Sequence, residues 1–197
     1  DFTTDQSPSL EKQYSGRATV LTADDKFTAF KRKGLTADQV YTLNNRGERQ
    51  SVVLIPNQFF IIQSEINEKK TMLGRCKDQL IVPLTQSEER PFGVKPRSVG
   101  QRFMQEALML DANEAPLVII KGVAGTAKTF YSLAVGLEKI LEAREPLYRR
   151  ILVTRSNVQF DEDIGFLPGS EQEKIAPLMR SVVDNLEVLV DRDEKER

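Results

Sequence analysis

The chain has 197 residues, 40% of them hydrophobic and 29% charged, which is enough apolar material for a real core in one large domain or two small ones. Its 28 basic and 29 acidic residues leave a formal charge of -1, so no overall basic field points to nucleic acid. There is no histidine, and Cys76 is the only cysteine, which excludes histidine general bases, Ser-His-Asp and Cys-His nucleophile systems, almost every zinc enzyme site and any internal disulfide. A reduced, cytoplasmic setting is the expectation. The run Leu117-Val118-Ile119-Ile120 is far short of the ~20 apolar residues of a membrane-spanning helix. The polar start, Asp1-Phe2-Thr3-Thr4, is unlike a signal peptide and begins without Met, so a piece of a longer protein is expected.

Residues 1–15 read as a flexible end. Residues 16–84 carry short β-like runs at 17–22, 27–31, 51–55, 58–63, 71–76 and 80–82, separated by turn formers at 23–25, 44–47 and 56–57. Thr36 is placed as the N-cap of one helical turn over 36–40. Six short strands at this spacing predict a small β-barrel or a curled sheet. Residues 85–96 are polar and charged, hold two prolines and read as a linker.

After the linker the hydrophobic period changes from 2 to 3.6. A helix is predicted over 101–110, with Phe103, Ala107 and Leu110 on one face. Residues 116–121 and 150–155 are apolar runs suited to buried parallel strands. Residues 128–144 predict a helix with Phe130, Leu133, Ala134, Leu137 and Leu141 as its stripe. Residues 171–190 predict another, with Ile175, Met179, Val182, Leu186 and Leu189. Helix, strand, helix, strand, helix is the beginning of a doubly wound α/β domain.

The sharpest motif lies between the first of those strands and the helix that follows. It is Gly122-Val123-Ala124-Gly125-Thr126-Ala127-Lys128-Thr129, with Phe130 next. Glycines let several backbone N–H groups turn toward one anion, and a helix N-terminus adds its dipole to the same point. Lys128 supplies an ammonium for the β- and γ-phosphates, and the Thr129 hydroxyl suits Mg²⁺. The usual motif has glycine where Ala127 stands, so Ala127 is strained if that backbone needs a positive φ. A chance Gly/Ala-rich turn between strand and helix is the alternative. Upstream, the Gln101 amide can read the N6/N7 edge of adenine, or it is a solvated residue on a first helical turn.

Further pieces form a pattern around this loop: Pro96-Arg97 with Gln101, Ile151-Leu152-Val153-Thr154-Arg155, Asp163-Ile164-Gly165-Phe166-Leu167-Pro168-Gly169, and Asp184-Asn185-Leu186. With them, residues 96–190 resemble the PhoH family of phosphate-starvation-induced ATPases. Residues 51–84, through Leu54-Ile55-Pro56-Asn57-Gln58-Phe59-Phe60 and Leu80-Ile81-Val82-Pro83-Leu84, are similar to the segment joining a PIN nuclease domain to a PhoH domain.

The resemblance implies an α/β fold, with residues 97–197 the first part of a RecA/helicase-like P-loop NTPase behind a small β-rich subdomain at 16–84. It implies ATP and Mg²⁺ as cofactors, held by Gln101 and residues 122–130. It also implies a parent that couples ATP hydrolysis to RNA unwinding and processing, an upstream PIN nuclease domain and a homo-oligomer, a hexameric ring being one form. The alternative function is a non-hydrolysing module for RNA binding and oligomerisation. The family's second acidic motif is not visible. Residues 188–194 imitate it, but they continue a helical stripe and read as a helix end. Arg155 is either a nucleic-acid contact at a strand end or a surface ion-pair residue. Asp161, Glu162 and Asp163 could act on Mg²⁺, but they precede the family's loop at 165–169 and read as loop or cap residues. Arg149-Arg150 and Lys31-Arg32-Lys33 are short basic clusters, ordinarily solvated.

Overall fold

A computed structural model describes residues 14–143, 148–154 and 171–196; within the last stretch, side chains are described from Met179 to Asp191. The chain divides into two compact units, Asp1–Thr85 and Gln86–Arg197, and the secondary structure is mixed α/β.

The first unit is a six-stranded sheet with one helix. Its strands are β1 (Arg17–Thr22), β2 (Tyr41–Leu43), β3 (Arg49–Ser51), β4 (Phe59–Ser64), β5 (Thr71–Lys77) and β6 (Leu80–Pro83), in the order β3-β2-β1-β4-β5-β6. β1 and β4 are parallel, from Arg17 beside Phe59 to Thr22 beside Ser64; every other neighbour is antiparallel. The order ends at β3 and β6, so the described sheet is open rather than a closed barrel.

Residues 27–31, expected as a strand, lie in helix α1 (Asp24–Lys33). The two phenylalanines explain this: Phe27 and Phe30 are three apart, fall on one helical face and are both buried. Asp24 and Asp25 in the first turn and Lys31, Arg32 and Lys33 in the last complement the helix dipole. Gly34 ends the helix at φ 66°, where a Cβ would also stand 2.8 Å from the Ile81 carbonyl oxygen. That close approach lets Leu35 and Ile81 exchange two backbone hydrogen bonds of 2.9 and 2.8 Å. The turn expected after Thr36 is a 3₁₀ turn, Ala37–Gln39, and the Gln39 side chain accepts the Thr36 N–H at 3.1 Å.

Only Ser51 of the expected strand 51–55 is in a ladder, and β2 was not anticipated because three residues carry no readable period. The intervening turn forms where expected: Asn44 Oδ1 accepts the N–H groups of Arg46 and Glu48, both at 2.9 Å. Val20, Phe60, Ile62, Cys76 and Ile81 from the sheet meet Phe27, Phe30, Leu35 and Val40 in the core. Burial pushes the Cys76 thiol up, away from reactive thiolate.

The second unit has α2 (Val99–Met109), α3 (Lys128–Leu137) and α4 (Glu171–Glu196), with a 3₁₀ turn at Pro91–Gly93 and a π turn at Glu138–Glu142. Residues 86–96, read from composition as part of a linker, are built into this unit. Pro91, Phe92, Val94 and Pro96 are buried, and Phe92 and Val94 belong to its core. Four apolar side chains among charged neighbours gave no period, so the burial was invisible to pattern.

On α2 the buried residues are Phe103, Met104, Gln105 and Glu106, with Leu110 just beyond, while Ala107 is half-buried. On α3 they are Tyr131, Leu133, Ala134 and Val135; Phe130 and Leu137 are partly buried and Leu141 is exposed. Val182 and Leu189 of α4 are buried, with Met179 and Leu186 packed beside them, as the stripe predicts; the Ile175 side chain lies outside the described residues.

The two expected parallel strands are not in any ladder. Residues 116–121 and 150–154 carry no strand pairing, and Leu117, Ile119 and Leu152 are 76%, 76% and 77% exposed. A strand exists only through a neighbour, and among the described residues the ladders all lie in the first unit.

Candidate nucleotide-binding site

The loop of residues 122–129 leads directly into α3. Gly125 has φ 78° and Ala127 φ 63°, ψ 26°, so the chain turns left-handed twice before the helix begins. Ala127 thus occupies the conformation in which glycine is the usual residue, at a cost of about 1 kcal/mol. Its methyl group packs against the unit's core, a contact glycine would lack.

Ala127 is also the N-cap of α3 and has no side-chain oxygen, so the first-turn N–H groups are not capped from within. Lys128 folds back across the loop. Its Nζ donates to the carbonyl oxygens of Gly122 (3.0 Å) and Val123 (2.7 Å) and to Thr126 Oγ1 (3.3 Å). Thr126 Oγ1 in turn donates to the Val123 carbonyl at 2.8 Å. A Cβ on Gly122 would stand 3.4 Å from Thr126 Oγ1, an ordinary contact distance. Ala124, Gly125 and Thr129 are exposed, and the Thr129 hydroxyl makes no hydrogen bond among the described residues. The Phe130 side chain, expected beside a cofactor, is half-buried and packs against the unit's core.

Gln101 is placed on the first turn of α2. Its N–H donates to the N-cap oxygen Ser98 Oγ (3.2 Å), and its Oε1 accepts the Arg97 N–H (2.7 Å). Its side-chain oxygen thus ties the segment before α2 to the first turn, and no hydrogen bond of the loop involves it. Arg155, Asp161, Glu162, Asp163 and residues 165–169 lie outside the described residues. Arg149 and Arg150 are exposed, as are Lys31, Arg32 and Lys33 at the end of α1. Residues 188–194 lie on α4, which runs on to Glu196, so they are helical as the stripe predicts. No group of three or more His, Cys, Asp or Glu side chains suited to a metal gathers among the described residues.

At the far end of α3, Lys139 donates to the Leu110 carbonyl at 2.7 Å, and burial pulls its ammonium below the ordinary lysine value. Glu138 accepts the Phe92 N–H at 2.7 Å. Neither contact had a sequence signal, because the partners lie 29 and 46 residues apart.

The sequence model described as PhoH-like protein matches residues 93–197, more than half of the chain. The chain belongs to the PhoH family. Among PhoH relatives, Protein PhoH2 of Bacillus subtilis is 30% identical over 191 residues, covering 96% of this chain and 40% of that protein. Protein PhoH2 of Mycolicibacterium smegmatis is 38% identical over 118 residues, covering 59% of this chain and 26% of that one. Protein PhoH of Escherichia coli K12 is 44% identical over 70 residues, covering 36% and 19%. The chain thus spans 40% or less of the length of these relatives. No solved structure matches it. The PhoH family is broadly ATPase-like, so the loop before α3 stands in a nucleotide-binding family context. No helix among the described residues is long and apolar enough to cross a membrane.

Proposed function

We propose that residues 122–129 hold the β- and γ-phosphates of ATP with Mg²⁺. The observation that carries this reading is Lys128, whose ammonium rests on three oxygens of its own loop at the mouth of an uncapped helix. Those exposed oxygens are weak partners for a full charge. Phosphate oxygens are stronger ones, and the first-turn N–H groups of α3 add donors on the same side. The residues fit the ligand pair: Lys128 would neutralise phosphate charge and Thr129, with its hydroxyl uncommitted, would hold the metal. Bound Mg²⁺ would supply charge neutralisation between phosphates.

Calorimetry with Mg-ATP on the unaltered chain and on Lys128→Ala tests this. Loss of binding in the variant is expected; equal affinity would sink the phosphate-loop reading. Gln101→Ala should leave the ratio of ATP to GTP affinity unchanged if its amide serves only to tie the segment before α2 to that helix, and should narrow it if the amide reads adenine.

For the full-length protein the proposal extends to ATP hydrolysis coupled to RNA unwinding and processing, with an upstream PIN nuclease domain and a ring-like homo-oligomer. Its support is the family membership, to which residues 163–169 add a family motif, and the likeness of residues 51–84 to the segment that joins a PIN domain to a PhoH domain in two-domain members. Comparing ATPase activity of full-length protein with and without single-stranded RNA tests it.

A second reading, nucleotide binding without turnover, is favoured for residues 1–197 by the helical placement of residues 188–194, which removes the one acidic run that imitates the family's second motif. Without a positioned acid, phosphoryl transfer typically loses ~10³-fold or more. Steady RNA-stimulated hydrolysis by the 197-residue chain would overturn that reading.

A further inference from the structure

Residues 86–94 form a strap tied to α2 and α3 by side chains that the phosphate loop does not use. The Gln86 N–H donates to Glu106 Oε2 at 2.6 Å, and Gln105 Nε2 donates to the carbonyls of Gln86 (2.5 Å) and Glu89 (2.8 Å). Both Gln105 and Glu106 are buried. The strap then turns through Phe92 at φ 47°, ψ 47°, a left-handed conformation that a bulky residue adopts only when its surroundings impose it. Two things impose it here. The Phe92 ring is buried in the same core as Tyr131, Leu133 and Ala134 of α3, and the Phe92 N–H is taken by Glu138 Oε2 at 2.7 Å.

Glu138 stands where α3 changes its winding. Up to Leu137 the helix is α; from Glu138 to Glu142 it is π, closed by the Ala143 N–H to the Glu138 carbonyl at 3.1 Å. A π turn holds one extra residue and marks a place where a helix can change register. The opposite end of α3 is the uncapped mouth with Lys128, about 15 Å away along a ten-residue rod. Core packing of Tyr131, Leu133 and Ala134 and the bond from Lys139 to the Leu110 carbonyl hold α3 sideways and at its end, and the Glu138 carboxylate adds a contact where the winding can shift.

We infer that Glu138 is a positioning residue for the phosphate loop. By holding the Phe92 amide it sets how far α3 extends, and so where Lys128 and the first-turn N–H groups meet the phosphates. This rests on the nucleotide-binding reading above. Because coupling is reciprocal, nucleotide at the loop must then tighten the strap.

The test uses the 197-residue chain, with Mg-ATP calorimetry and hydrogen exchange of the strap amides, on the unaltered protein, Glu138→Gln, Glu138→Ala and Lys128→Ala. The Gln variant keeps an oxygen that can accept the Phe92 N–H, so it should bind Mg-ATP nearly as the unaltered chain does. The Ala variant should bind about tenfold more weakly, an ordinary size for such coupling. In the unaltered chain Mg-ATP should slow exchange at the strap, and in Lys128→Ala it should not. This second readout stands even if Glu138→Ala fails to fold. Unchanged affinity in a folded Glu138→Ala, or strap exchange indifferent to Mg-ATP in a chain that binds it, overturns the positioning role alone. An unaltered chain that binds no Mg-ATP overturns the phosphate-loop reading and the positioning role together.

Discussion

The two units use similar apolar runs to different ends. In the first, Phe59-Phe60-Ile61-Ile62 is a strand with partners on both sides, β1 and β5. In the second, Leu117-Val118-Ile119-Ile120 is as apolar and has no ladder. Ile120 still packs against the helical core while Leu117 and Ile119 face outward, so one side of the run is engaged and the backbone edges are not. The difference teaches that apolar content sets a preference for burial, whereas strand formation is a property of a pair of segments.

The comparison can be broken by substitution. Phe60→Ala removes a ring with no exposure from the laddered unit and should cost about 3–5 kcal/mol in denaturant unfolding. A cost below 1 kcal/mol would mean that the first unit's core is not formed as described. Ala127→Gly relieves a left-handed alanine but deletes a methyl packed on the core, so the gain should be at most about 1 kcal/mol. Mg-ATP affinity should not fall; a loss of stability would show that the methyl contact outweighs the backbone strain.

Leu117→Ser, at an exposed position of the unpaired run, should change stability by no more than about 0.5 kcal/mol. A core-sized loss would show that the run is covered in solution. The smallest effect is confined to acid. Asp24 accepts from Lys70 Nζ and Ser64 Oγ, both at 3.0 Å, which holds its carboxyl below the usual aspartate value. Its contribution is therefore present above the unfolded value, near 3.8, and is lost as pH falls through the lower folded one. Asp24→Asn should flatten the acid arm of the stability curve below pH ~4 and leave its slope near neutrality unchanged. An acid arm identical in both proteins would remove Asp24 from that arm.

Local chemistry was legible where the signal was local. The Asn44 turn, the Thr36 turn, strands β1, β4, β5 and β6, the α4 stripe and the loop before α3 all follow from residues within one turn or one strand of each other. Phe27 and Phe30 stand three apart, a helical spacing, inside a short run whose composition suggests a strand. The glycine-like demand at Ala127 could be posed from the motif, but whether φ is positive there depends on how the loop closes over Lys128.

What sequence by itself determined is therefore the set of segments able to form elements, and the one loop whose residues suit a phosphate. Tertiary structure decided which apolar runs became strands, because a ladder needs a partner that no single segment encodes. It also decided that Phe92 and Val94, in a segment that composition marks as polar, join the second unit's core: the Phe92 N–H is held in a left-handed turn by a carboxylate 46 residues away, and a bond of that span leaves no mark on local pattern. Gln101 shows the same division. From sequence alone its amide could read adenine or be a solvated residue on a first helical turn, and the structure adds a 2.7 Å bond from the Arg97 N–H to its oxygen that local pattern did not announce.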